Sequence, residues 1–127
     1  MNINNRTLGR HLLLELYNCD TSLLNDTKRI EAALVEAARL VGATIIDTSF
    51  HHFSPYGVSG VVIIAESHIT VHTWPEYNYA AVDVFTCDES INISTIIKFL
   101  KAEFKAESFE QRTIRRGLVM SVKTEFV

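Results

Sequence analysis

The first regular pattern is "TLGRHLLLELYNC", Thr7 to Cys19, where apolar and polar side chains alternate in part, as in a strand with one buried face. The spacing then changes. In "DTSLLNDTKRIEAALVEAARLVG", Leu23, Ile30, Leu34, Ala37 and Val41 recur at helical intervals. Asp20, Thr21 and Ser22 offer N-caps and Gly42 a C-cap, so one helix is predicted over this whole segment. Four β-rich runs follow: "ATIIDTSFHHF" (Ala43 to Phe53), "VSGVVIIA" (Val58 to Ala65), "HITVHTW", which Pro75 ends, and "YAAVDVFTC" (Tyr79 to Cys87). "SPYG" supplies turn chemistry between the first two. "ISTIIKFLKAEFKA" (Ile93 to Ala106) predicts a second amphipathic helix and "SFEQRTIRR" a closing strand, with "LVMSVKTEF" a candidate for one more.

The order β-α-β-β-β-β-α-β, with short connections around its centre, predicts an α+β fold. It is a two-layer sandwich, a mostly antiparallel sheet with two helices on one face. That arrangement leaves the other face uncovered. A sheet built around "GVVIIA" exposes apolar surface there, so the pattern predicts a homodimer joined through its sheets.

Composition narrows the function classes. The 127 residues form one domain, 1–127, with 47% apolar and 21% charged residues, the balance of a water-soluble globule. No apolar run approaches the roughly 20 residues that cross a bilayer. "MNINNRTLGR" has no apolar signal core, so a cytoplasmic protein without a membrane partner is expected. Cys19 and Cys87 are expected as free thiols. A net charge of −3 argues against a nucleic-acid partner, and "RTIRR" (Arg112 to Arg116) reads as a solvated strand face.

Reactive groups gather between Ser59 and Cys87: Ser59, Glu66, Ser67, His68, His72, Glu76, Asp83 and Cys87. A Ser-His-Asp hydrolase lacks its G-x-S-x-G elbow, since "AESHI" is no strand-to-helix turn. A Cys-His nucleophile using Cys87 stays open. His51, His52, His68 and His72 could supply zinc ligands, but no metal spacing accompanies them, so no metal is expected. Geometry adds a constraint. Ser67 and His72, five residues apart in sequence, would lie roughly 16 Å apart on an extended strand. They would also face opposite sides. Unless the chain reverses between them, His72 reaches a Ser67 only across a dimer interface. The same applies to Ser59, eight residues before Ser67 and expected on the same strand. The plainer readings are a structural histidine at His68 or His72, a turn residue at Ser67, a small buried residue at Cys87, edge charges at Glu66 and Asp83, and core aromatics at Phe53, Tyr56 and Trp74.

"LGRHLLLELYNCD" and "ATIIDTSFHHFSPYGVSGVVIIAESHITVHTWPEYNYAAVDVFTC" resemble the small prokaryotic form of the S-adenosylmethionine decarboxylase family, with "GVSGVVIIAESHITVHTWPE" the most specific part. After about Asp88 the likeness is one of pattern. The resemblance implies a pyruvoyl-dependent enzyme that cuts itself between Glu66 and Ser67, into a β chain 1–66 and an α chain 67–127. In it Ser67 is the nucleophile that becomes the pyruvoyl cofactor and forms the Schiff base with substrate. His72 is the processing base, Ser59 supports the processing intermediate, and Cys87 donates the proton to the decarboxylated carbon. A thiol suits that task, with a pKa near physiological pH. Phe53 is implied to stack on the adenine of S-adenosylmethionine and Glu76 to hold its ribose, with Glu66 also at the substrate site. Larger eukaryotic relatives look like fused duplications. This implies Ser67 and Cys87 from one protomer and Ser59, His72, Phe53 and Glu76 from its partner, with the product feeding spermidine biosynthesis. Two other outcomes stay open: the same fold and chemistry acting on arginine or ornithine, and an uncleaved, non-enzymatic homologue.

Overall fold

The computed structural model describes residues 6–119, and the candidate strand "LVMSVKTEF" lies mostly outside them. The predicted segments form β1 (Thr7–Tyr17), α1 (Thr21–Leu24), α2 (Thr27–Leu40), β2 (Ile45–His52), β3 (Val58–Ile64), β4 (Ser67–Trp74), a 3₁₀ turn (Pro75–Tyr77), β5 (Tyr79–Thr86), α3 (Ile93–Glu103) and β6 (Ser108–Leu118). The strands make one sheet in the order β2-β3-β4-β5-β1-β6, and every pairing is antiparallel. The α+β expectation holds, with the helices layered on one face.

Alternation decides that layering. Leu12, Leu14 and Leu16 of β1, Val62 and Ile64 of β3, Ile69 and Val71 of β4, and Val82 and Val84 of β5 are all buried. They meet Ile30, Leu34 and Ala37 of α2 and Ile96 and Leu100 of α3 in one core. Burying each of the larger side chains contributes about 1.5–3 kcal/mol. The intervening residues, among them His11, Leu13, Ser59, Val61, His72, Asp83 and Phe85, point to the opposite face. β6 is exposed along its whole length, which fits "RTIRR" as a solvated strand. Arg115 there bonds Thr7 and Glu89.

The single helix expected from Asp20 to Gly42 is two. The Asp26 side chain accepts from the Arg29 backbone N–H and caps α2, while Asp20 caps α1 through Ser22 N–H. A short acceptor that satisfies a free N–H at a new helix start competes with continuing the old helix. The break frees Asn25, whose Oδ1 accepts from Gly57 N–H at 2.9 Å and lies 2.9 Å from His52 Nε2. Thr73 adds a second tie: its buried hydroxyl donates to Leu24 C=O at 2.7 Å and accepts from Val58 N–H at 2.9 Å. These bonds hold the β2–β3 loop, the start of β3 and the end of β4 against the helical layer. Gly60 is required on β3 because Phe50 of the paired strand lies across it. A Cβ there would fall 1.9 Å from the Phe50 ring.

Candidate active site

β3 and β4 form a hairpin whose turn is Ala65–Glu66, with Ile64 opposite Ser67. This corrects one sequence reading: Ser59 and Ser67 lie on neighbouring strands, not on one. The run from Ser59 to Ser67 is not one strand because Glu66 adopts φ +60° and the chain reverses at Ala65–Glu66. A left-handed backbone at a non-glycine residue costs about 1–2 kcal/mol. The strain sits at the residue whose carbonyl begins the Glu66–Ser67 bond.

Antiparallel register then fixes the partners. Ser59 stands opposite His72, and Ser59 Oγ lies 2.8 Å from His72 Nδ1. Five residues back along β4, Ser67 shares the parity of buried Ile69 and Val71, so its side chain is on the helical side, opposite to that of His72. The expected separation within one chain is therefore present. Ser67 Oγ donates to Thr86 Oγ1 at 2.7 Å. The Glu66 carbonyl accepts from Cys87 N–H at 3.2 Å. Cys87 is an exposed free thiol that lines a cavity of about 600 Å³ with Arg6, Thr7, Leu8 and Glu89. Cys19, the other free thiol, is buried, and burial pushes its pKa up to about 11, so it holds its proton at neutral pH.

The remaining nominated residues gather elsewhere. Phe53, Ser59, His72 and Glu76 line one cleft of about 290 Å³ with Tyr56 and Trp74. Phe53 is 48% exposed and meets His51 edge-on, with ring centroids 4.6 Å apart. It is thus available for stacking. Glu76 is exposed in the 3₁₀ turn that Pro75 begins. The structure therefore sorts the seven residues into two sets. Glu66, Ser67 and Cys87 share the hairpin-turn end of β4, while Phe53, Ser59, His72 and Glu76 share the cleft toward its other end.

The four histidines weighed as zinc ligands do not converge. His52 meets Asn25, His51 meets Phe53 and His72 meets Ser59. His68 stacks on Phe85 with centroids 5.8 Å apart. Burial, then the neighbouring His11, pushes the His68 imidazole below its ordinary pKa, so it is the neutral ring that stacks at pH 7. Sequence reasoning missed Thr86 and the His11–Asp83 pair, with His11 Nε2 3.4 Å from Asp83 Oδ1. Asp83 Oδ2 also accepts from Thr70 at 3.2 Å. Both depend on register, which only a knowledge of strand order supplies.

The fold and site define a class: two-layer α+β proteins with a Glu–Ser junction on a strained hairpin turn and a Ser–His pair across the same two strands. The chain belongs to the S-adenosylmethionine decarboxylase family, whose model matches residues 10–117. The S-adenosylmethionine decarboxylase proenzyme of Moorella thermoacetica is 51% identical over 114 residues, 90% of this chain and 91% of that one. That of Acetivibrio thermocellus is 50% identical over 111 residues, 87% and 90% of the two chains. Among solved structures, the adenosylmethionine decarboxylase of Aquifex aeolicus superposes with a TM-score of 0.83 at 31% identity, covering 94% of this chain and 99% of that one. The Trypanosoma brucei AdoMetDC-delta26 monomer shares the fold, with a TM-score of 0.61 at 21% identity over 80% of this chain and 44% of that one.

Proposed function

We propose that this protein is a self-processing, pyruvoyl-dependent S-adenosylmethionine decarboxylase acting as a homodimer, its product feeding spermidine biosynthesis in the cytoplasm. Among the described residues no helix is long and apolar enough to cross a membrane. The observation that carries the reading is the placement of Ser67 directly after a left-handed Glu66 whose carbonyl accepts from Cys87 N–H.

That placement suits an N-to-O acyl shift. A backbone N–H aimed at the Glu66 oxygen stabilises the charge that develops when Ser67 Oγ adds to the carbonyl carbon. The Glu66–Ser67 amide becomes an ester, and the chain is released from the left-handed turn. Loss of the Ser67 Cα proton to a base then breaks the Cβ–Oγ bond, so Glu66 leaves as a carboxylate. The dehydroalanine left behind takes up water and releases ammonia, giving a pyruvoyl group at the start of the α chain. His72 is the base for this step, oriented by Ser59.

The residues around Ser67 fit such a group, since it would begin β4 beside an exposed thiol. A pyruvoyl ketone formed from Ser67 would supply an electron sink for the substrate amine's carbon as carbon dioxide departs. The chain's own residues do the rest. Cys87 holds a proton for the decarboxylated carbon, Phe53 offers a ring face to adenine and to the nearby sulfonium, and Glu76 offers acceptors to the ribose hydroxyls.

The two residue sets also favour a dimer. Placing His72 on a different face from Ser67, and roughly 16 Å along the strand, leaves one protomer without a base at its own junction. A partner sheet laid on the uncovered face would bring Phe53, Ser59, His72 and Glu76 of one copy over the Ser67 backbone and Cys87 of the other. The proton His72 takes is on the Ser67 Cα, not on the hydroxyl that faces the helical side. It would also cover Ile63 and Trp74, which are 43% and 41% exposed.

Release of labelled carbon dioxide from carboxyl-labelled S-adenosylmethionine tests the activity. Turnover of arginine or ornithine without turnover of S-adenosylmethionine would overturn the substrate assignment. Cys87→Ala is expected to cleave normally and then to decarboxylate about 10²–10⁴-fold more slowly, the usual contribution of a positioned proton donor. An uncleaved Cys87→Ala chain would move that thiol to processing.

A further inference from the structure

Thr86 is buried to 1% exposure at the end of β5, directly before Cys87 and opposite Ser67 in the register. Its hydroxyl is fully committed. Oγ1 accepts from Asp88 N–H at 2.9 Å and from Ser67 Oγ at 2.7 Å, and its own hydrogen points to Asp88 C=O at 3.4 Å. With its hydrogen turned to Asp88, Thr86 acts toward Ser67 as an acceptor, so the Ser67 O–H is the donor. One residue on, Cys87 N–H holds the Glu66 carbonyl oxygen at 3.2 Å. Two consecutive residues, Thr86 at the end of β5 and Cys87 just after it, thus grip the two reacting partners of the acyl shift: Thr86 the nucleophilic hydroxyl, Cys87 the electrophilic carbonyl.

We infer that Thr86 is a positioning residue for self-cleavage, which fixes the Ser67 hydroxyl in one rotamer beside the Glu66 carbonyl. The inference rests on the reading of Ser67 as the nucleophile. In the step it serves, the bond from Ser67 Oγ to the Glu66 carbonyl carbon forms and the Glu66 C–Ser67 N bond breaks. The hydroxyl proton ends on the freed amino nitrogen. Thr86 does not take that proton, because a neutral hydroxyl is too weak a base. It keeps the O–H directed into β5, which leaves the oxygen lone pairs free to face the carbonyl. Holding a nucleophile in a reactive geometry accelerates attack by removing the freedom it would otherwise have to lose. A free serine rotor at a hairpin end samples three staggered wells, and the bond to Thr86 selects one.

The test is the rate of self-cleavage during timed cell-free synthesis, read by electrophoresis and intact mass, for wild type, Thr86→Val, Thr86→Ser and Ser67→Ala. Valine keeps the shape and loses the acceptor, so cleavage should slow about tenfold. Serine restores the hydroxyl and should restore most of the rate, which a role in packing alone would not do. Thermal unfolding of the uncleaved Ser67→Ala and Ser67→Ala/Thr86→Val chains shows whether valine is accommodated in the fold. Equal cleavage rates for Thr86→Val and wild type would overturn the role of Thr86 while leaving the Ser67 chemistry intact. Slow cleavage in both Thr86→Val and Thr86→Ser would assign Thr86 to packing and also overturn it. Should Ser67→Ala cleave at the same bond, or wild type not cleave, the underlying reading of Ser67 falls instead.

Discussion

Ser67→Ala is expected to yield a folded chain that is never cut and never decarboxylates S-adenosylmethionine. The substitution removes the oxygen that attacks Glu66 and with it the precursor of the cofactor, so both activities should fall by roughly three orders of magnitude or more. Stability should change little. Ser67 Oγ makes one side-chain bond, to Thr86, and Thr86 keeps Asp88 N–H as a partner. Loss of that single neutral bond costs about 1 kcal/mol. The checks are electrophoresis for cleavage, labelled carbon dioxide for activity and far-ultraviolet circular dichroism for the fold. A cleaved or active Ser67→Ala protein would remove Ser67 from the chemistry.

The second large effect concerns the dimer. Alone, His72→Ala is expected to remain largely uncut, because it lacks the base that eliminates Glu66. Co-expressed with Ser67→Ala, it should be cleaved. In the mixed dimer, one junction combines an intact Ser67 with an intact His72 from the partner. The other junction lacks both. Cleavage should therefore fall only on the His72→Ala chain, which a mass tag on either chain distinguishes. Decarboxylase activity should return with it, since Phe53, Glu76 and Cys87 are intact in both chains. No cleavage in the mixture would mean that each protomer processes itself, and the two residue sets would then have to meet within one chain.

Much of this was legible in the alternation of the sequence. The strands, the helical faces of Ile30, Leu34 and Ala37, and the opposite facing of Ser67 and His72 all follow from periods of two and 3.6 residues. Three features were not. The break at Asn25–Asp26 turns on a side chain that caps a new helix rather than on hydrophobic spacing. The reversal at Glu66 uses a left-handed glutamate, where glycine or asparagine would have signalled a turn. The pairings Ser59–His72 and Ser67–Thr86 depend on which strands are neighbours and in what register, and periodicity carries neither. Strand order also lies outside the local pattern: β6, the last strand among the described residues, pairs with β1, the first. The candidate site residues stood out as residue types. Its division into two clusters needed the sheet.

Intact-mass analysis of the purified wild-type protein tests the central claim most directly. Two chains are predicted, 1–66 ending in the Glu66 carboxylate and 67–127 beginning with a residue lighter than serine by one ammonia. A single chain of 14.3 kDa in every preparation would contradict it.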